Sequence, residues 1–263
     1  MSNFEIFLYS LVQGITEFLP ISSSAHLYFL EDVFLWESFG VTFALSAHLG
    51  TLLAVILYKG NFITSTLKNI IYHKKDYDFL LFIIISVMPI IFVGGIISFF
   101  FNNYYGPNLL IIGIASITGG IILELADRHN IFRISEKKML SSKLAIFVGF
   151  FQILSLIPGM SRSGTVITAL RIYNVNREKS MSLSLLTGIP VQIVACSYIL
   201  FFTSELGTEI TKILFFIFII SFFSALVAIS FIFSWIKRFS FSLFVIYRIF
   251  LGLVILTYIF FYK

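Results

Sequence analysis

Charge is the scarcest commodity in this chain. Asp, Glu, Lys and Arg make up 12% of its 263 residues, against 59% hydrophobic residues and a mean hydropathy of +1.00. Soluble domains carry roughly 25% charged residues, so the composition excludes a sizeable soluble domain and describes an integral membrane protein. The apolar runs are long and lack period-two alternation, which argues against a barrel and for an all-α polytopic chain. With one cysteine, Cys196, no intrachain disulfide can form. Residues Met1 to Glu5 hold no cation, so no cleaved signal peptide is expected. The net charge of +5 comes from Lys and Arg gathered in a few loops, a topology signal rather than a nucleic-acid-binding surface.

Six segments can span a bilayer, at approximately 39–58, 79–100, 107–126, 181–202, 212–236 and 242–261, each near the roughly 20 apolar residues a crossing helix needs. Pro89 with Gly94 and Gly95 predicts a bend in the second. Cations fill alternate connections: Lys59, Lys68, Lys74 and Lys75; Arg128, Arg133, Lys137, Lys138 and Lys143; Arg171, Arg177 and Lys179; Lys237 and Arg238. The other connections are uncharged (102–106) or acidic (Glu31, Asp32 and Glu37; Glu205 and Glu209). The positive-inside rule places the basic loops in the cytoplasm, and the six spans alternate without conflict.

That count leaves two apolar segments that start and end on one side. Residues 144–170, broken at Ile157-Pro158-Gly159, dip in from the cytoplasm; residues 4–30, broken at Leu19-Pro20, dip in from outside. The predicted fold is six transmembrane helices plus two re-entrant helical hairpins in a single membrane domain, 1–263, with the broken tips meeting near the midplane. A weak repeat relates about 1–130 to 140–263: Pro20 pairs with Pro158, Ser23 with Ser161, Leu45 with Leu183, Ser46 with Ser184 and Gly50 with Gly188. Three spans per half make this an inverted-topology repeat, the usual construction of transporter-like sites.

The tips hold the polar residues. Gln13 and Glu17, four apart, share a helix face that ends at Pro20. Ser22, Ser23 and Ser24 are N-cap residues for a second short helix carrying His26. In the other hairpin Pro158-Gly159 ends one helix and Ser161-Arg162-Ser163 opens the next. Two helix N-termini and a guanidinium facing one space form an anion site, suited to a phosphate-bearing lipid. Architecture offers competing readings: Glu17 paired only with Arg162 or His26, and serines that only cap. His48 packs or lines the cavity, Arg248 snorkels to the cytoplasmic face, and His73 and His129 are solvated in loops.

These motifs resemble the undecaprenyl-diphosphatase family, the bacitracin-resistance membrane phosphatases, across essentially the whole chain. Gln13 and Glu17 match its first motif, followed by Leu19, Pro20, Ser22, Ser23 and His26. Pro158, Gly159, Ser161, Arg162 and Ser163 match the second; His48 to Gly50 and Tyr247-Arg248 are also similar. There are two departures. Gln13 replaces the commoner glutamate, so metal binding rests more on Glu17. Val166 stands where the family has threonine, with Thr165 one place early.

The resemblance implies hydrolysis of undecaprenyl diphosphate to the monophosphate carrier used in peptidoglycan synthesis. It also implies a bacterial plasma-membrane location, a site facing the outer side and a divalent cation, Mg²⁺. Carried onto this chain, Glu17 and Gln13 hold the metal. Arg162 is catalytic, and Ser22, Ser161, Ser163, Gly159 and Thr165 bind the phosphates. The attacking group is Ser23 activated by His26, or a water polarised by His26 and Glu17. The competing reading is a transporter or flippase of a polyprenyl phosphate lipid; a homodimer is compatible with either.

Overall fold

The computed structural model describes residues 2–36, 40–73, 76–100, 108–129, 139–202 and 208–262, and all regular structure among them is helical. The helices are α1 (Asn3–Thr16), α2 (Ser23–Val33), α3 (Gly40–Tyr58), α4 (Gly60–His73), α5 (Tyr77–Phe100), α6 (Leu109–His129), α7 (Ser142–Ile153), α8 (Arg162–Ile172), α9 (Arg177–Phe202), α10 (Thr208–Ile236) and α11 (Ser242–Tyr262). Five of them (α5, α6, α9, α10 and α11) are long and apolar enough to cross a membrane. A sixth crossing is reached if α3 and α4, bent by 70° at their junction, count as one span. The expected connections holding Lys74, Lys75, Arg133, Lys137, Lys138 and residues 101–106, together with Glu37 and Glu205, lie outside the described residues.

Helix α4 was not expected: the sequence reads 59–75 as a basic loop. Its apolar residues Phe62, Ile63, Leu67, Ile70 and Ile71 recur at helical spacing and make one face. Lys68, one of the lysines that mark a loop, occupies the other side of the same helix. Helix α5 runs unbroken through Pro89.

Both proline-interrupted segments break where expected. Helix α1 ends at Thr16 and α2 begins after Ser22; α7, extended by a 3₁₀ turn at Leu154–Leu156, gives way to α8 after Ser161. The two are built alike. Ser2 and Ser141 cap α1 and α7 from extended backbone. Ser22 (φ 71°) and Ser161 (φ 67°) cap α2 and α8 from left-handed backbone, a conformation costing about 1–3 kcal/mol for a residue with a Cβ. The caps pair Ser22 with Ser161, one residue out of the register that Pro20–Pro158 and Ser23–Ser161 suggest. In this register Gln13 also falls on Gln152.

Packing then locks the tips into the bundle. Helix α1 packs on α10 and α7 on α5, while α3 lies along α10 and α6 along α11. Phe18, Leu19 and Ile21 of the first tip share one buried cluster with Ile167 of α8 and Leu185 of α9. Between helices in lipid such association rests on close packing and hydrogen bonds rather than on water exclusion. The tips also bond directly: Ser163 Oγ donates to the Leu19 carbonyl at 3.0 Å, and the Gly159 N–H to Ser24 Oγ at 3.4 Å.

Arg248 corrects an expectation. It does not snorkel: it is wholly buried, and its Nη2 donates to the carbonyls of Gly159 (3.1 Å) and Met160 (3.0 Å). A proline-glycine break leaves carbonyls without helical partners, and this guanidinium collects them. Gly119 leaves the room, since a Cβ there would meet Arg248 Nη2 at 2.3 Å.

Candidate active site

The two tips enclose a cavity of about 230 Å³. Its polar wall holds Glu17, Ser22, Ser23, Ser24, His48, Ser161, Arg162 and Gln192. The start of α2 and the start of α8 therefore face one space, as the sequence predicts. In each, the capping serine's Oγ accepts from an N–H three residues on, Ala25 in α2 and Gly164 in α8. The remaining N–H groups of both first turns have no helical carbonyl to bond.

Glu17 is the hub. Its Oε2 accepts from Gln13 Nε2 and Ser23 Oγ, both at 2.9 Å, and its Oε1 accepts from Gln192 Nε2 at 3.0 Å. Gln13 Nε2 also lies 3.1 Å from His48 Nδ1. The Arg162 side chain is 13% exposed and that of Glu17 9%. One arm of the guanidinium is anchored, Nη1 donating to the Ser184 carbonyl at 3.0 Å. The other, Nη2, stands 3.8 Å from Glu17 Oε1, and this buried nitrogen has no hydrogen-bond partner. A buried donor left open costs about 1–3 kcal/mol; a ligand oxygen between Arg162 and the serines would recover that energy.

The structure brings some predicted residues together and not others. Glu17, Ser22, Ser23, Ser161 and Arg162 line the cavity, and Gln13 lines an adjoining chamber of about 410 Å³ that shares Ser23, Ser24 and His48. The expected Ser23–His26 pairing is not the one formed. Ser23 bonds Glu17, whereas His26 spends Nδ1 on the Ser22 carbonyl and Nε2 on the Tyr247 hydroxyl, both at 2.7 Å. Gly159 and Ser163 serve the tip-to-tip bonds. Thr165 is turned away, its hydroxyl donating to the Arg162 carbonyl at 2.8 Å. Val166 is buried in the cluster around Leu144 and Val148, so neither residue reaches the cavity. Gln192 was missed, although a carboxamide inside an apolar span is itself a signal. His48, left between packing and lining, lines the cavity.

The donor set fits a hard divalent cation. Beside the Glu17 carboxylate, Gln13 Oε1 and Gln192 Oε1 are buried without a partner, and turning either carboxamide over would direct its oxygen toward Glu17. Among the described residues no group of three His, Cys, Asp or Glu side chains is placed to hold a metal ion. A cation here would complete its shell with water and phosphate oxygens, as Mg²⁺ commonly does.

Gly188 makes room for the guanidinium: a Cβ there would lie 2.2 Å from Arg162 Nη1 and 2.6 Å from Cζ. Gly188→Ala should swing Arg162 out of place at little cost to the fold. Activity should fall on the order of 10²-fold, as for other misplaced catalytic groups, with the melting temperature nearly unchanged. Wild-type kinetics in the purified variant would show that the site tolerates a moved Arg162.

A family model described as Bacitracin resistance protein BacA matches residues 6–254. The chain is 36% identical over 262 residues to a protein of Pelagibacter ubique named undecaprenyl-diphosphatase, with 97% of each chain covered. It is 34% identical over 274 residues to one of that name from Aliivibrio salmonicida, covering 98% of this chain and 99% of the relative. These matches run through both tips, and the chain belongs to the BacA bacitracin-resistance family.

Proposed function

We propose that the protein hydrolyses undecaprenyl diphosphate to undecaprenyl phosphate and inorganic phosphate, recycling the lipid carrier of cell-wall synthesis. Arg162 Nη2, buried between two helix N-termini with no hydrogen-bond partner and only a 3.8 Å ion pair to Glu17, carries this reading, because it leaves a cationic donor open to a ligand oxygen. The family relatives' name supports the substrate. Arg162, Ser22, Ser161 and the first-turn N–H groups hold the diphosphate. An oxygen nucleophile attacks the terminal phosphorus, the anhydride P–O bond breaks, and the monophosphate leaves carrying the bridging oxygen. The work is mainly positioning and charge neutralisation.

Two routes share that geometry. In one, Ser23 Oγ passes its proton to Glu17, the base it already touches, and a phosphoserine forms and is then hydrolysed. In the other, Glu17 takes the proton from an attacking water. His26, with both ring nitrogens engaged, holds the tip to α11 through Tyr247. A divalent cation held by Glu17, Gln13 and Gln192 would, when bound, neutralise the diphosphate oxygens. Ser23→Ala separates the routes: phosphoserine chemistry predicts loss of turnover, and retained turnover selects water.

Six spans, two hairpins entering from opposite faces and an inverted repeat complete the reading, with the site open to the outer side of a bacterial plasma membrane. Supporting it, Arg128, Arg171, Arg177 and Lys237, from four different helix ends, gather around one cavity, and Lys59 rests 4.3 Å over the Phe233 ring near the end of α10. These are the ends the positive-inside rule puts in the cytoplasm. The matching caps of α2 and α8 favour a second reading, a carrier of the same lipid. Phosphate release by the detergent-purified protein, with Mg²⁺ and with chelator, decides. Metal-dependent release supports the phosphatase; none from folded protein that still binds the lipid supports the carrier.

A further inference from the structure

A second cavity, of about 630 Å³, lies at the other end of α8. Arg162 opens that helix and Arg171 lies in its last turn, so about 14 Å separates the two along the axis. Four cations line this cavity: Arg128 at the end of α6, Arg171, Arg177 at the start of α9 and Lys237 just past α10. Its centre is firmly built. Arg171 and Asp127 are buried, 6% and 3% exposed. Arg171 Nε donates to Asp127 Oδ1 at 2.7 Å, and Arg177 Nε to the same oxygen at 3.0 Å. Arg177 Nη2 pairs with Asp127 Oδ2 at 2.9 Å, and that oxygen also accepts from the Phe241 N–H at 3.4 Å. One carboxylate thus serves two guanidinium groups. A buried cation short of counter-charge is costly, and an anion offsets that cost. The rest of the wall does not supply one. Arg128 is balanced by Glu124 on its own helix, and Lys237 makes no ion pair among the described residues. Glu178 lines the cavity from an exposed position and cancels a single charge, which leaves the site cationic.

We propose that this cavity is a second anion site, which binds a phosphate group supplied by the headgroup of an anionic lipid or by free phosphate. Arg177, whose side chain is 35% exposed, and Lys237 present the donors, and Arg171 adds its charge from behind. Guanidinium and ammonium groups are the usual partners of phosphate oxygens. The height of the site in the bundle suits a headgroup. Trp235 packs on Phe239 with ring centroids 4.5 Å apart, and Phe239, two residues past Lys237, is exposed. Aromatic residues beside a cation mark the boundary between lipid and water, and basic pockets between helix ends at that level hold lipid phosphates. Bound there, the anion ties the ends of α8, α9 and α10 together, so its presence reads out as stability. The site stands whether or not the protein is a phosphatase.

The double variant Arg128→Gln/Lys237→Gln tests this, because both residues are exposed and the Asp127 cluster is left intact. Melting temperature would be compared in neutral detergent with sodium phosphate and with sodium chloride at equal ionic strength. The same comparison would be made in nanodiscs of phosphatidylglycerol and of phosphatidylcholine. The phosphate-bearing anion should raise the wild-type value by about 3 °C or more, the shift that roughly tenfold excess over Kd gives a chain of this size. The double variant should lose most of that rise. A rise in the phosphatidylglycerol arm alone assigns the site to a lipid headgroup; a rise with inorganic phosphate assigns it to the free anion. Lys68→Gln/Lys143→Gln removes as much charge from exposed positions outside the cavity and should keep the rise. Arg162→Ala, which disables the anion site between the tips, should keep it too. No rise in either arm, a rise that survives in the cavity variant, or one lost equally in the control variant would overturn the site. A rise lost only in Arg162→Ala would overturn it as well, by placing the bound phosphate in the active-site cavity.

Discussion

Arg162→Ala should abolish phosphate release, with turnover falling roughly 10³-fold or more, the upper range for loss of one donor to developing charge in a dry site. The argument is in the bonding of the wild-type guanidinium. One arm is fixed by the Ser184 carbonyl, Gly188 leaves the plane of the group unobstructed, and the second arm has no hydrogen-bond partner. Removing the side chain therefore costs the fold one buried hydrogen bond, about 1 kcal/mol, and an ion pair already stretched to 3.8 Å. The melting temperature should drop little. Arg162→Lys should fail nearly as badly, because an ammonium cannot hold the Ser184 carbonyl and present a planar fork at the same time. Full activity in folded Arg162→Ala would remove this residue from the mechanism and with it the main support for the phosphatase reading.

Glu17→Gln should be about as damaging, on the order of 10²- to 10³-fold in turnover by the same reasoning about charge in a dry site. Its effect on stability separates function from architecture. Glu17 accepts from Gln13 and Ser23 on one oxygen and from Gln192 on the other, so a carboxamide at this position keeps the shape but sets its N–H₂ against one or two of those donors. Some stability is lost, about 1–3 kcal/mol for a mismatched buried donor. If Glu17 only braced the tip, activity per folded molecule would survive. If it is the base and the cation ligand, activity is lost in protein that remains folded, and the dependence on added Mg²⁺ disappears with it. Calorimetry beside phosphate release on the same preparation reads both.

Much of this was legible in the sequence. Low charge and apolar runs near membrane length specify helices that cross or enter a bilayer. The proline breaks mark both tips, because a proline can neither donate to the helix ladder nor fit beside the carbonyl four residues back. Glu17, His26 and Arg162 stood out because ionisable groups are expensive in hydrocarbon. Where the reading failed, the missing information was partnership. Ser23 and His26 share a helix side by spacing, yet each bonds across to another element, Glu17 of α1 and Tyr247 of α11. Helix α4 was hidden by lysines that fit a loop and the polar side of a surface helix equally well. Thr165, promoted by its closeness to Arg162 in the chain, lies on the wrong side of α8.

What the sequence by itself determined is the environment of each segment, since solvent choice depends on local composition, and the places where helices must stop, since those depend on single residues. Only the tertiary structure decided which groups meet. Arg248 illustrates the difference. Near the start of an apolar helix it reads as a cation reaching for the cytoplasm, yet in the folded chain it is buried against the carbonyls freed by the Pro158-Gly159 break, nearly ninety residues away along the chain. A charge goes where its desolvation is best offset, and in a membrane bundle the offsetting groups come from other helices, whose arrangement is a property of the whole packing.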